Sequence, residues 1–191
     1  FFTQLQKGRS YVTYGASHIL DFSVNGREAG TGNSEVTVKQ NESVKVTARI
    51  TARLPEVQDE EGAAIASRPL DEQPYWHIER ARIDKTNKVR VELVVNGEAV
   101  ASREIVADGK WNDLTFDYTM RESAWMALRI FPSAHTNPVF VKVDNKPIHV
   151  LKSAQWCRDV VDQCWKTKRP AIRASERAAA VASRASKIES V

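Results

Sequence analysis

VRVELVVNGEAVASREIV, residues 89–106, decides the fold. Val89, Val91, Leu93 and Val95 recur at every second position, the period of a strand with one buried face. Asn96-Gly97 follows, and both residues tolerate the positive φ of a two-residue hairpin turn. Ala99 to Val106 then runs back. A strand, a tight turn and a second strand form the unit from which antiparallel sheets are built.

The same pattern extends in both directions. Residues 19–26 alternate and end in Asn25-Gly26. Glu35 to Val38 is a short strand, and Asn41-Glu42-Ser43 a turn. Val44 to Ile50 alternates, with the valines, Val44 and Val46, inward and Lys45, Thr47 and Arg49 outward. Tyr75 to Ile83 reads as a further strand. Asp108-Gly109 marks a turn, and Trp111 to Tyr118, Ala124 to Phe131, Val139 to Val143 and Ile148 to Leu151 complete the set. Short strands punctuated by turn dipeptides predict a mainly β fold. The expected architecture is an antiparallel, immunoglobulin-like β-sandwich over residues 19–151. Between Pro55 and Pro74 the alternation dissolves, and five acidic residues lie between Glu56 and Asp71. A loop this long inside a compact domain is a flexible insertion or a contact surface.

After Leu151 the period changes. Trp156, Val160 and Cys164, with Cys157, Val161 and Trp165, form a broad apolar stripe at helical spacing behind Ser153 as N-cap. Pro170 suits the first turn of a second helix. There Ala174, Ala178, Val181, Ala185 and Ile188 make a narrow small-residue seam. The reading for residues 152–191 is a C-terminal α-helical hairpin, packed on the sandwich or on a partner.

Composition narrows the classes of function. The chain is 42% hydrophobic and 27% charged, an ordinary globular balance. No apolar run approaches the ~18–20 residues that span a bilayer, so no membrane partner is expected. The net charge of +4 is concentrated in residues 166–191, which hold seven basic and two acidic side chains. That is a basic tail helix, not a basic groove interleaved with aromatics, and nucleic acid is not an expected partner. Cys157 and Cys164 are seven residues apart, about 10.5 Å along a helix axis. A disulfide requires Cα atoms within about 7 Å, so they read as two core cysteines.

The richest chemistry is in KGRSYVTYGASHILDF, residues 7–22. Ser17, His18 and Asp21 are too close in sequence for a triad, because neighbouring strand residues face opposite ways. No phosphate-loop glycine pattern is present. The four histidines, His18, His77, His135 and His149, form none of the usual metal-ligand spacings. No catalytic residue, metal ligand or cofactor is assigned to this chain. Ser133 to Pro138 reads as a loop between strands, where His135 and Asn137 either tie down backbone or make contacts. Trp111, just after a turn, is the tryptophan expected to be exposed; the other four fall in patterns that predict burial. Arg9, His18, Trp111, His135 and Asn137 are the candidate interface or ligand contacts. An exposed Trp111 supports the alternative function, a module that binds carbohydrate or another ligand and targets an enzyme to it.

Gly8-Arg9-Ser10-Tyr11-Val12-Thr13, with Gly15 after it and Val24-Asn25-Gly26 beyond, resembles a segment of the CehA/McbA-like metallohydrolases of the PHP (polymerase and histidinol phosphatase) superfamily. Pro74 to Arg80, Val94 to Gly97 and His135 to Pro138 look like the tail region of bacterial members. Tyr14 and Ala16 depart from that pattern, where a small polar residue and a proline are frequent. The resemblance implies a non-catalytic accessory or structural β-sandwich at the C-terminus of a bacterial metal-dependent hydrolase of unknown substrate. Divalent metal ions would belong to a catalytic barrel whose ligands this chain lacks. The implied partner is that preceding PHP-like domain, with a homo-oligomer through the C-terminal helices as a second association and export left open. Phe1 to Gly8 reads as the end of an amphipathic helix stopped by Gly8, so residues 1–18 are expected to form the junction with the preceding domain.

Overall fold

The computed structural model describes residues 2–189, with side chains through Ser186. It divides into two compact units, one ending at Ile148 and one beginning at His149. The first unit is the expected sandwich of two packed sheets.

The larger sheet is organised around 89–106. Strand β6 (Lys88–Val95) pairs antiparallel with β7 (Glu98–Val106), through a turn whose Asn96 and Gly97 both have positive φ. On its other side β6 pairs with β9 (Ala124–Ile130), a central strand with five buried residues. Beyond β9 lie two short strands end to end. β10 (Ala134–Thr136) pairs with Ile130 and Arg129, and β11 (Val139–Val143) with Met126 to Ala124. Asn137-Pro138 separates them. Pro138 has no N–H to offer a ladder, and at this break the Leu128 N–H donates instead to the Thr136 Oγ1 at 3.1 Å. The sheet is completed by β1 (Tyr11–Thr13), antiparallel to β10, and β4 (Glu35–Val38), which pairs with β11. The β4–β11 pair is parallel, the one departure from the all-antiparallel expectation.

The smaller sheet runs in the order β3 (Arg27–Glu28), β2 (Ser17–Val24), β5 (Ser43–Ala52), β8 (Asn112–Thr119), antiparallel throughout. The Asp108-Gly109 turn therefore links β7 in one sheet to β8 in the other. Val44, Val46, Ala48 and Ile50 face the core as their alternation predicts, against Val89, Val91, Leu93, Met126 and Leu128 of the opposite sheet. Fully burying a side chain of this size stabilises by about 1.5–3 kcal/mol.

Three regions differ from the sequence reading. Tyr75 to Ile83 is not a strand: it is a turn followed by a 3-10 helix, Ile78–Ala81, that inserts Ile78 and Ala81 into the core. His77 is thus an N-cap, its Nδ1 accepting from the Glu79 N–H at 3.2 Å. The Pro55–Pro74 stretch contains a helix, α2 (Glu60–Ser67), capped by Asp59 through the Gly62 N–H at 2.7 Å. Ile148 to Leu151 is not a strand either, because Leu151 opens a helix. Burial of the tryptophans is overturned as well. Trp76 and Trp156 are exposed, and Trp125 and Trp165 half-buried.

The second unit is the helical pair. Before it, the first unit carries a short helix α1 (Phe2–Gln6) at its start; the pair itself is α3 (Leu151–Lys168) and α4 (Arg177–Glu189). Val150, not Ser153, occupies the N-cap position of α3, with no side-chain cap. Arg184 of α4 donates to Asp162 Oδ1 at 2.7 Å and lies over the Trp165 ring. That hydrogen bond holds the Asp162 carboxyl below its usual range. Cys157 and Cys164 are exposed and unpaired rather than buried in a core. Of the expected seam, Ala174, Ala178, Val181 and Ala185 are exposed, while the Ile188 side chain lies outside the described residues.

Candidate functional site

Residues 2–13 bury almost no apolar surface yet are fixed at several points. Helix α1 has no buried side chain. Gly8, at φ +75°, stops it with a Schellman motif: the Gly8 N–H reaches the Leu5 carbonyl at 3.0 Å and the Arg9 N–H the Gln4 carbonyl at 2.9 Å. Asn137 then holds the following residues, its Nδ2 donating to the Gly8 carbonyl at 2.8 Å and to Ser10 Oγ at 2.9 Å. Arg9 pairs with Glu28 at 2.9 Å.

Gly30 closes the contact from the other side. Its φ is +80°, and a Cβ there would stand 2.6 Å from the Arg9 Cβ and 2.7 Å from the Arg9 nitrogen. Only glycine permits this approach. The turn that follows is left-handed through Gly32, Asn33 and Ser34. Between this turn, α1 and Asn137-Pro138 lies an open groove of about 820 Å³, whose polar lining includes Lys7, Arg9, Asn33 and Asn137.

Of the five residues singled out in the sequence, the fold therefore joins Arg9 and Asn137. His18 lies nearby on β2, half-buried, with Nδ1 2.9 Å from the Tyr11 hydroxyl. It is turned away from Ser17, whose Oγ is buried against Ser133 Oγ at 2.7 Å. Asp21 meets Arg49 instead. The cluster in residues 7–22 thus contains no nucleophile–base pair. His135 is exposed on β10, opposite Val12, with its Nδ1 3.3 Å from the Thr136 carbonyl oxygen. Trp111 is 46% exposed, as expected, and Arg49 covers one face with its guanidinium 5.2 Å from the ring centroid. Neither His135 nor Trp111 joins the groove. Asn137→Ala should remove two hydrogen bonds and cost about 1–2 kcal/mol; its check is loss of amide-exchange protection in residues 8–13 while β5 and β6 stay protected.

A second constellation was not legible as a site. Glu79 and Arg82 form a buried, bidentate ion pair, with the Arg82 Nε and Nη2 each 2.7 Å from a Glu79 oxygen. Arg82 also donates to the Pro55 and Thr86 carbonyls, and Gln58 donates to Glu79. These bonds clamp both bases of the 55–87 excursion. The Arg82 hydrogen bond holds the Glu79 carboxyl below its usual range, against the upward push of burial. Further out, Arg68 donates to the Gln73 carbonyl and Arg80 to the Glu72 carbonyl, both at 2.7 Å. The tip so pinned presents Tyr75 and Trp76, and Tyr14 packs on His77 with ring centroids 4.7 Å apart. The sequence clue was present: Ile78 and Ala81 are three apart, which is helical rather than strand spacing.

Among the described residues no three His, Cys, Asp or Glu side chains converge as a metal site, and no helix is long and apolar enough to cross a membrane. The sequence matches no protein-family model, and a search of curated proteins returns no match.

Proposed function

We propose that this chain is a non-catalytic accessory β-sandwich of a PHP-like metal-dependent hydrolase, acting by docking on the domain that carries the metal ions. The observation that supports this reading is the construction of residues 2–13. A segment held by Asn137, Glu28 and the close approach of Gly30, but burying little apolar area, is held for its position rather than for core stability. The polar groove beside it, with Lys7 and Arg9 at its rim, suits a partner surface rich in hydrogen-bond acceptors. The exposed Trp156 and Val160 of α3 suit association with a second copy in the same reading.

The test is to express the chain alone and in continuity with the coding sequence that precedes it in its gene. Elemental analysis should find divalent metal in stoichiometric amount in the longer protein and only traces in the chain alone. Stoichiometric metal in the chain alone, or a longer protein without a metal-binding barrel, would overturn the reading. Arg9→Glu in the longer protein should weaken docking and release the sandwich as a separately melting unit.

A further inference from the structure

The tip of the 55–87 excursion exposes two large aromatic rings without any folding gain. Trp76 is 65% exposed and Tyr75 41%, with centroids 5.9 Å apart and planes inclined at 61°. Tyr14, 47% exposed, continues the row through its contact with His77. Exposed rings on a mobile loop need no explanation, but these stand on a rigid base. Arg68 and Arg80 hold the carbonyls of Gln73 and Glu72 immediately before them, and Ile78 and Ala81, directly after them, are set in the core. Below lies the Glu79–Arg82 clamp. Rigid presentation reduces the ordering cost of binding, so the rings are preorganised for a ligand.

We infer that this tip is a binding platform for a neutral polysaccharide, whose pyranose C–H faces stack on Trp76 and Tyr75. Three properties select that ligand. First, charge: Arg68 and Arg80 balance Asp71 and Glu72, both arginines are engaged with backbone carbonyls, and Arg82 is paired with Glu79, so the tip has no net charge. A tip without net positive charge does not attract nucleic-acid phosphates or an anionic lipid surface. Second, size: the three rings expose roughly 300 Å² of apolar surface, well under the ~800 Å² that each partner contributes to a stable protein interface. Third, chemistry: Asp71, Glu72 and Gln73 flank the rings as exposed acceptors and donors. Apolar faces bordered by hydrogen-bonding groups match a sugar, which has C–H faces and a rim of hydroxyls. The platform is independent of the groove at residues 4–9 and of any docking there.

The test is affinity electrophoresis of the full chain through gels that each contain one polymer. The neutral set is hydroxyethylcellulose, xylan, mannan, a β-1,3-glucan and starch, with heparin as the anionic comparison. At least one neutral polymer should retard the protein. Trp76→Ala should lower that affinity about tenfold or more and Tyr75→Ala severalfold, the range of a stacking contact, while Phe131→Ala, which removes an exposed ring outside the tip, leaves it unchanged. Because both tip rings are exposed, these variants should melt like the parent chain, which separates lost binding from lost folding. Retardation by heparin alone, no retardation by any neutral polymer, or retardation that survives Trp76→Ala would each overturn the inference. The last result would leave the tip as a protein contact.

Discussion

Arg82→Met will lower the unfolding free energy by about 3–5 kcal/mol, the largest effect expected of any single substitution outside the hydrophobic core. The Arg82 side chain is 1% exposed and that of Glu79 4%. Removing the guanidinium leaves a buried carboxylate with only Gln58 as a side-chain donor, and takes the donor from the Pro55 and Thr86 carbonyls. An uncompensated buried charge costs far more than the net worth of the pair. The double variant Glu79→Gln/Arg82→Met should therefore recover part of the loss. Urea titration followed by tryptophan fluorescence reads both; a loss below about 1 kcal/mol in the single variant would show that the clamp is not structural.

The same pair sets a pH dependence whose sign can be worked out. Glu79 is held below its usual value of 4.5 in the folded chain, chiefly by the Arg82 hydrogen bond. Its contribution is fully present above the unfolded-state value and is lost as pH falls through the lower folded-state value. The parent chain should lose stability on acidification below about pH 4.5. In Arg82→Met the carboxyl loses its main stabilising donor and burial pushes it up. Protonation then relieves the buried charge, so the gap between variant and parent should narrow as pH falls from neutrality towards that region.

Gly30→Val should cost about 2–4 kcal/mol and do its damage locally. Two effects combine: a β-branched residue at φ +80°, and a Cβ set against the backbone nitrogen and Cα of Arg9 at 2.7 and 2.8 Å. Backbone cannot swing aside as a flexible side chain can, so residues 8–13 must move. Amide exchange should show β1 losing protection while β5 and β6 keep theirs. Gly26→Val isolates the first effect. Its φ is +76° but nothing lies within 4 Å of the added Cβ, so about 1–2 kcal/mol is expected. Equal losses at the two positions would mean that the close approach of Gly30 to Arg9 contributes nothing.

The readable parts of this fold are those whose information is local. Alternation in β5 and β6, and the Asn-Gly turns after β2 and β6, carry their own register, and the elements appear where expected. β1 and β10 are three residues each. That is too short to show a period, and each becomes a strand only because the other lies beside it. Tyr75 to Ile83 misleads for a related reason. Its aromatics suggest a strand, but the residues the core takes are Ile78 and Ala81, and a 3-10 turn is what delivers both. Trp76 is left outside by that same turn, so the strand pattern predicted its burial wrongly.

The candidate groove was half legible. Arg9 and Asn137 stood out as polar residues in unusual contexts, but nothing near either named its partner. Glu28 and Gly30 gave no sign of their role because it is fixed by Arg9, about twenty residues earlier in the chain. Nothing in the sequence paired Glu79 with Arg82, since a strand over residues 75–83 would place them on opposite faces. Burial turned them into a clamp, and burial is a property of everything packed around Pro55, Gln58 and Thr86.

By itself the sequence determined that this protein is a two-sheet sandwich followed by helices, because strand and helix periods and turn dipeptides are written in consecutive residues. Only the tertiary structure decided which side chains meet: Asn137 on Gly8, Gly30 against Arg9, Arg82 on Glu79, and the rings of Tyr75 and Trp76 raised on a pinned tip. The physical reason is that backbone preferences act within a few residues. Burial, close approach and ion pairing depend on segments that sequence distance separates and packing alone brings together.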